Sequence, residues 1–384
     1  MKRIECRIQL GGIGALKVLF AAAGLRGQLQ YLCRMRIRSL FFCLPAFALL
    51  AACAKTDAPV RLDFVGGTGL LSGSRTVAPG DTLVTHAYAV GNDAHALKSL
   101  RIEVTYEPGP APILYPVPTS SFDKANAPQT LTLVYLDSLL SVSPTDKARG
   151  GEALFVNGLM ARTTSGQETW TYTASDASGQ TAARGYHLTV HKSDSAAVFH
   201  SYPLVLRPLP RKAPRPASVR DSRRVFLNLR YGLLLPRYAL LNNKNSLQAN
   251  QIFIDLVCVA NQTGTTVSLV APADTASRLP LTGWPADAAH RRATEVHAAG
   301  LTTAQFTAAT TAANFETAFK GSTPYKSPTG LTSDKTTGPL ALNQVIAFKA
   351  LDDAGTAYYG LLQVTAFTGG TNPVLTCQVK VQKY

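Results

Sequence analysis

The clearest regularity in the chain is a period of two. Leu100, Ile102, Val104 and Tyr106 alternate with Arg101, Glu103, Thr105 and Glu107, so one face of this segment is packed and the other wet, as in a half-buried β-strand. The same alternation recurs in Leu131, Leu133 and Tyr135, and in Trp170, Tyr172 and Ala174. Turn-forming clusters separate these runs: Ala78-Pro79-Gly80-Asp81, Gly91-Asn92-Asp93 and Asp176-Ala177-Ser178-Gly179. Short strands punctuated in this way, with no long helical pattern among them, predict a β-sandwich over residues 53–205.

The texture then changes twice. Over 206–224, Pro208, Pro210, Pro214 and Pro216 are interleaved with arginines, a composition that disfavours helix and predicts an extended, semi-rigid linker at a domain boundary. Residues 225–384 read as a second, β-rich domain with strands at 225–230 and 252–260. One helix is predicted over 302–320, where Phe306, Ala309 and Ala313 form one apolar stripe and Ala312, Phe315 and Phe319 an adjacent one. Thr302 or Thr303 serves as its cap and Gly321 as its stop. Three strands close the chain at 344–351, 357–367 and 375–382, joined by turns at Asp352-Asp353-Ala354-Gly355 and Gly369-Gly370. The fold class expected is therefore mainly β: an N-terminal sandwich, then an α+β domain with one helix and an antiparallel meander.

Near the start, an apolar run over 40–52 follows Arg36 and Arg38 and ends in Leu50-Ala51-Ala52-Cys53, with polar Lys55-Thr56-Asp57 beyond. A cationic end, about ten apolar residues and small residues before a cut are the parts of a leader too short to span a bilayer. The tetrapeptide resembles the bacterial lipobox. That resemblance implies a signal peptide at 35–52, cleavage after Leu50, Ala51 and Ala52, and a diacylglycerol on Cys53. Each buried acyl methylene contributes roughly 0.8 kcal/mol, so several chains hold a domain on a membrane. The alternatives are a buried helix and an ordinary secretory signal. Met35 opens a complete leader of its own, so residues 1–34 are read as an extension assigned by too early a start; the rival is a membrane segment over 10–25.

A further resemblance lies in Glu168-Thr169-Trp170-Thr171-Tyr172-Thr173-Ala174-Ser175-Asp176-Ala177-Ser178-Gly179-Gln180 followed by Gly185-Tyr186-His187-Leu188-Thr189-Val190. It is similar to the final hairpin of bacterial immunoglobulin-like and PKD-like modules, an aromatic-rich strand running through a D-x-x-G turn into a closing strand. Thr76-Val77-Ala78-Pro79-Gly80-Asp81-Thr82-Leu83 resembles their first-to-second strand turn. With the lipobox, the layout resembles uncharacterised exported envelope lipoproteins, which implies a cell-envelope location, in the outer membrane.

Charge changes this picture little. The formal +15 invites a nucleic-acid reading, but residues 53–384 carry 30 basic against 22 acidic residues, and 207–224 alone holds seven basic residues and one acidic. Both domains are thus close to neutral, and no nucleic-acid partner is expected. The basic linker suits an anionic surface such as lipid headgroups or serves as a solvated spacer. Of six cysteines only Cys258 and Cys377 belong to the folded part. Apolar neighbours make them buried thiols, with a disulfide between them as the alternative that an exported protein permits.

Candidate chemistry is sparse. Gly67-Thr68-Gly69 with Gly73 imitates part of a dinucleotide loop without the helix that must follow, and the G-x-S-x-G nucleophile elbow does not occur, so no cofactor and no enzyme activity are expected. His187 and His191, on one strand, stand about 13 Å apart, too far to share a metal. Asp352 and Asp353 could pair for glycoside hydrolysis or bind calcium but are explained by their turn. Asp255, among Phe253, Ile254, Leu256 and Val257, must find a partner or shift its pKa. Trp284, Tyr358, Tyr359 and Tyr115 could stack on sugar rings. Asp-Ser/Thr-apolar triplets at Asp81, Asp137, Asp194 and Asp274 resemble an O-glycosylation motif of some exported bacterial proteins.

Two functions follow as expectations. One is a non-enzymatic lipoprotein displaying an adhesion or ligand-capture module toward a glycan or envelope protein. The other is a carbohydrate-binding accessory or envelope hydrolase, which needs Asp255, Asp287, Glu295, Glu316, Asp352 and Asp353 to converge.

Overall fold

The computed structural model describes residues 59–383 except 93–95, 113–128, 141–150, 193–196, 211–216, 242–243, 277–278, 280, 282, 327–331 and 353–354. The segment with Leu50, Ala51, Ala52 and Cys53 therefore lies outside the described residues, as do Tyr115, Asp194 and Asp353.

The chain is mainly β. Its first half contains β1 (Val60–Phe64), β2 (Arg75–Val77), β3 (Thr82–Gly91), β4 (Leu97–Glu107), β5 (Leu131–Leu139), β6 (Glu152–Met160), β7 (Gly166–Asp176) and β8 (Thr181–Val190). One sheet has the order β1-β3-β6 and the other β2-β8-β7-β4-β5, with β2 parallel to β8 and the remaining pairs antiparallel. This strand order, with the hairpin β7–β8 beside β4, is that of an immunoglobulin-like sandwich. The alternation read from the sequence is observed: Leu100, Ile102, Val104 and Tyr106 are buried, as are Trp170, Tyr172 and Ala174. Trp170 packs edge-on against Tyr135 at 4.8 Å between centroids. The D-x-x-G turn closes as expected, with Asp176 Oδ1 accepting from the Ser178 and Gln180 amides at 2.9 and 2.8 Å and Gly179 at φ +89°.

The second half adds β9 (Phe199–Leu206), α1 (Ala217–Asp221), β10 (Arg224–Asn228), β11 (Leu233–Pro236), α2 (Gln248–Gln251), β12 (Leu256–Ala260), β13 (Val267–Val270), β14 (Glu295–Ala298), α3 (Thr303–Ala308), α4 (Ala312–Lys320), β15 (Thr323–Lys326), β16 (Thr332–Ser333), β17 (Val345–Leu351), β18 (Ala357–Thr368) and β19 (Val374–Gln382). Four strands form the sheet β11-β10-β12-β13 and seven form β16-β15-β14-β17-β18-β19-β9. The meander β17-β18-β19 is the one the closing alternation predicts.

Two expected elements take different bounds. The strand expected over 252–260 starts only at Leu256, because α2 and a turn occupy 248–254. The single helix expected over 302–320 is two. α3 and α4 each start with a capping box, Thr302 with Gln305 and Thr311 with Asn314. Between them, Lys380 Nζ donates to the carbonyls of Phe306, Thr307 and Ala309, each at 2.9 Å, satisfying the end of α3 where the chain turns off.

The expected linker does not divide two bodies. Residues 59–384 cluster as one compact unit. β9, placed by the sequence in the first domain, pairs along its whole length with β19 at the end of the chain. The four-stranded sheet is buried on both faces. Phe226, Leu233, Leu235 and Val257 join the core of the sandwich, while Leu227, Leu234, Leu256 and Cys258 join the core beneath the seven-stranded sheet. On the far side of that sheet Phe306, Phe315 and Phe319 cover Val345, Ala347 and Leu361.

Candidate functional site

Asp255 finds its partners. It sits at the start of β12, fully buried, with Oδ1 accepting from Arg292 Nη1 at 3.0 Å and Oδ2 from the Leu229 amide at 2.7 Å and the Tyr358 hydroxyl at 2.9 Å. Burial pushes its carboxyl up, and Arg292 opposes that. Tyr202 of β9 donates to the carbonyl of Leu229, whose amide Asp255 holds, so the residue after β10, the residue before β12 and Tyr358 of β18 are tied at the carboxylate and β9 is tied to them through Leu229. Both oxygens are engaged by the fold itself, and the arrangement is a clamp between layers.

The other carboxylates do not converge. Asp287 lies at the surface, with its carboxyl held below its ordinary value by the hydrogen bond to His290 Nδ1 at 2.7 Å. Glu295 pairs with Lys349 at 2.8 Å, Glu316 with Lys320 at 2.7 Å and Asp352 with Arg230 at 3.0 Å. Asp352 also accepts from the Thr356 amide across the Gly355 turn. His187 bonds Thr169 at 3.0 Å. Trp284 and Tyr358 are buried, 4% and 2% exposed, so neither presents a ring face to a sugar. Cys258 and Cys377 are free, buried thiols, and burial pushes both up. The loop with Gly67, Gly69 and Gly73 leads into strand β2. Among the described residues no group of His, Cys, Asp and Glu side chains gathers as for a metal ion.

A concave site lies elsewhere, where the expected linker folds back. A pocket of about 290 Å³ has Val225, Phe226, Val257, Val259, Leu279 and Leu281 as its apolar lining, and Pro208, Leu209 and Pro210 as a wall. Cys258 and Ala260 complete the β12 side, and Arg220, Arg223 and Arg237 supply the charge. Asp221 Oδ1 accepts from Arg220 Nε and forms an ion pair with Arg237 Nε, both at 3.3 Å, and Arg223 Nη2 donates to Asn372 Oδ1 at 3.2 Å. Burial lowers the pKa of Arg237, with Asp221 acting against it. The signal was present in the sequence as prolines and arginines at 206–224. What the sequence did not display was their return onto the face of β10 and β12.

No family model matches the chain, and no curated protein matches it. Among solved structures it is similar to a DUF4466 family protein from Parabacteroides merdae, at 12% identity and a TM-score of 0.29 over 85% of this chain and 99% of that one. It is similar to a beta-glucosidase from Listeria innocua at 7% identity and a TM-score of 0.22, over 35% of this chain and 16% of that one. The sporulation control protein Spo0M from Bacillus subtilis gives 8% identity and a TM-score of 0.21, over 55% and 78%. Among the described residues no helix is long and apolar enough to cross a membrane.

Proposed function

We propose that this chain is a non-enzymatic cell-envelope lipoprotein, tethered through Cys53 and displaying its β-rich unit as a ligand-capture or adhesion module. One observation carries the reading. The run ending in Leu50-Ala51-Ala52-Cys53, with Arg36 and Arg38 before it, stands immediately ahead of a compact unit whose first strand begins at Val60. The arginine-rimmed pocket gives the capture reading a place for a ligand.

Mass spectrometry of the N-terminal peptide is expected to find a diacylglycerol on Cys53, and Cys53→Ser is expected to move the protein from the membrane to the soluble fraction. An unmodified Cys53 in native protein, or full membrane retention of the variant, overturns the anchor.

A further inference from the structure

We infer that the pocket between 208–210, α1 and the face of β10 and β12 binds a small anionic amphiphile, with a carboxylate or phosphate head at Arg220, Arg223 and Arg237 and a short apolar chain in the pocket. The inference rests on the ligand-capture reading and gives it a ligand class.

Charge and shape carry it together. Three guanidinium groups, Arg220, Arg223 and Arg237, line the same pocket as the apolar side chains of β10 and β12, with Asp221 pairing with Arg220 and Arg237. Arg220 and Arg237 both approach Asp221 Oδ1 through their Nε atoms at 3.3 Å, which keeps the two guanidinium groups together at the pocket. Planar, weakly hydrated guanidinium suits the two-oxygen edge of a carboxylate or phosphate. The side chain of Arg237 is only 21% exposed, so an anion beside it meets a charge that water screens poorly. Val225, Phe226 and Val257 then ask for an apolar tail that a bare anion lacks. A volume of about 290 Å³ limits that tail to small-molecule size.

The head-and-tail chemistry could come from a free fatty acid or from a membrane phospholipid, and the test separates the two. The full chain made by cell-free translation, with Cys53 unacylated, is titrated with decanoate, decanol, inorganic phosphate and phosphatidylglycerol vesicles. Calorimetry is read alongside the fluorescence of Trp284, whose ring lies 6.0 Å from that of Phe226. Saturable one-site binding of decanoate is expected, at least tenfold tighter than decanol or phosphate. Arg220→Glu with Arg223→Glu is expected to weaken it at least tenfold. Val259→Trp, which fills the pocket and keeps every charge, should weaken it similarly, with thermal melts showing that each variant folds. Vesicle binding that decanoate displaces supports the inference with phospholipid as the source. The inference is overturned if decanoate does not saturate, if decanol or phosphate binds equally well, if both folded variants bind unchanged, or if vesicles bind and decanoate does not. Because Cys53 is unmodified throughout, these outcomes are independent of the anchor.

Discussion

His200 and Glu168 are both buried, and burial drives them in opposite directions. His200 accepts at Nδ1 from Lys192 Nζ at 3.2 Å and pairs through Nε2 with Thr163 Oγ1 at 2.9 Å, while that hydroxyl donates to the carbonyl of Tyr231. Burial, with Lys192 and Lys383 nearby, pushes its pKa down to about 3. A histidine depressed below its unfolded value near 6.5 contributes stability above that value, and loses it as pH falls toward 3. The expected contribution is roughly 3–5 kcal/mol. Chemical denaturation from pH 7 to 4 should therefore show a steeper acid loss in the native chain than in His200→Gln. Glu168, held by the Arg162 amide and Trp170 Nε1, is raised to about 7 by burial. Its contribution has the other sign, being full below about 4.3 and lost as pH rises through 7. Glu168→Gln should remove that downward slope between pH 4.5 and 7 in the same assay. At this scale the sequence showed that Asp255 needs a partner. It could not show which, because Arg292 and Tyr358 lie 37 and 103 residues away and reach it only after the four- and seven-stranded sheets have packed together.

Among the elements, α3 and α4 show how a side chain from another strand divides a helix. Lys380 on β19 reaches over the rings of Phe199 and Phe306, at 5.2 and 5.0 Å, to the three carbonyls at the end of α3. Lys380→Met keeps the stem and strands those carbonyls, and an equilibrium denaturation is expected to show a loss on the order of 2–4 kcal/mol. Thr311→Ala, which removes only the cap of α4, should cost about 1 kcal/mol in the same measurement. The two adjacent stripes over 302–320 were legible, and their offset is the trace of the break. The break itself was not, because Ala309-Thr310-Thr311 resembles many unbroken helical stretches until Lys380 is placed beside it. Strands were read more easily, since alternation over β4, β7 and β19 depends only on which face is wet.

In the whole molecule the four-stranded sheet decides the organisation. Its two faces serve two cores, so neither half can be removed without exposing Phe226 and Val257 on one side or Leu227 and Leu256 on the other. Calorimetry should accordingly give one cooperative transition for the full chain. A fragment ending at residue 206 should bind a hydrophobic dye and melt broadly, whereas two separate transitions would refute a shared core. The sequence pointed to two domains because the prolines and arginines of 206–224 have the composition of a spacer. Composition reports local stiffness and solvation. It does not report that β9, just before that stretch, belongs beside the last strand, or that the apolar runs at 233–235 and 256–260 are apolar because both their faces are covered.

β19 is bonded on both sides, to β18 along one edge and to β9 along the other. A premature stop codon that removes Val374–Gln382 would therefore unzip two neighbours at once, leaving a pair of bare strand borders ready to recruit other nascent chains. Synthesis runs from the other end, so β9 waits unpartnered while more than 160 further residues are made. Until that final segment emerges, the edge of β9 that β19 covers is an unpaired strand border.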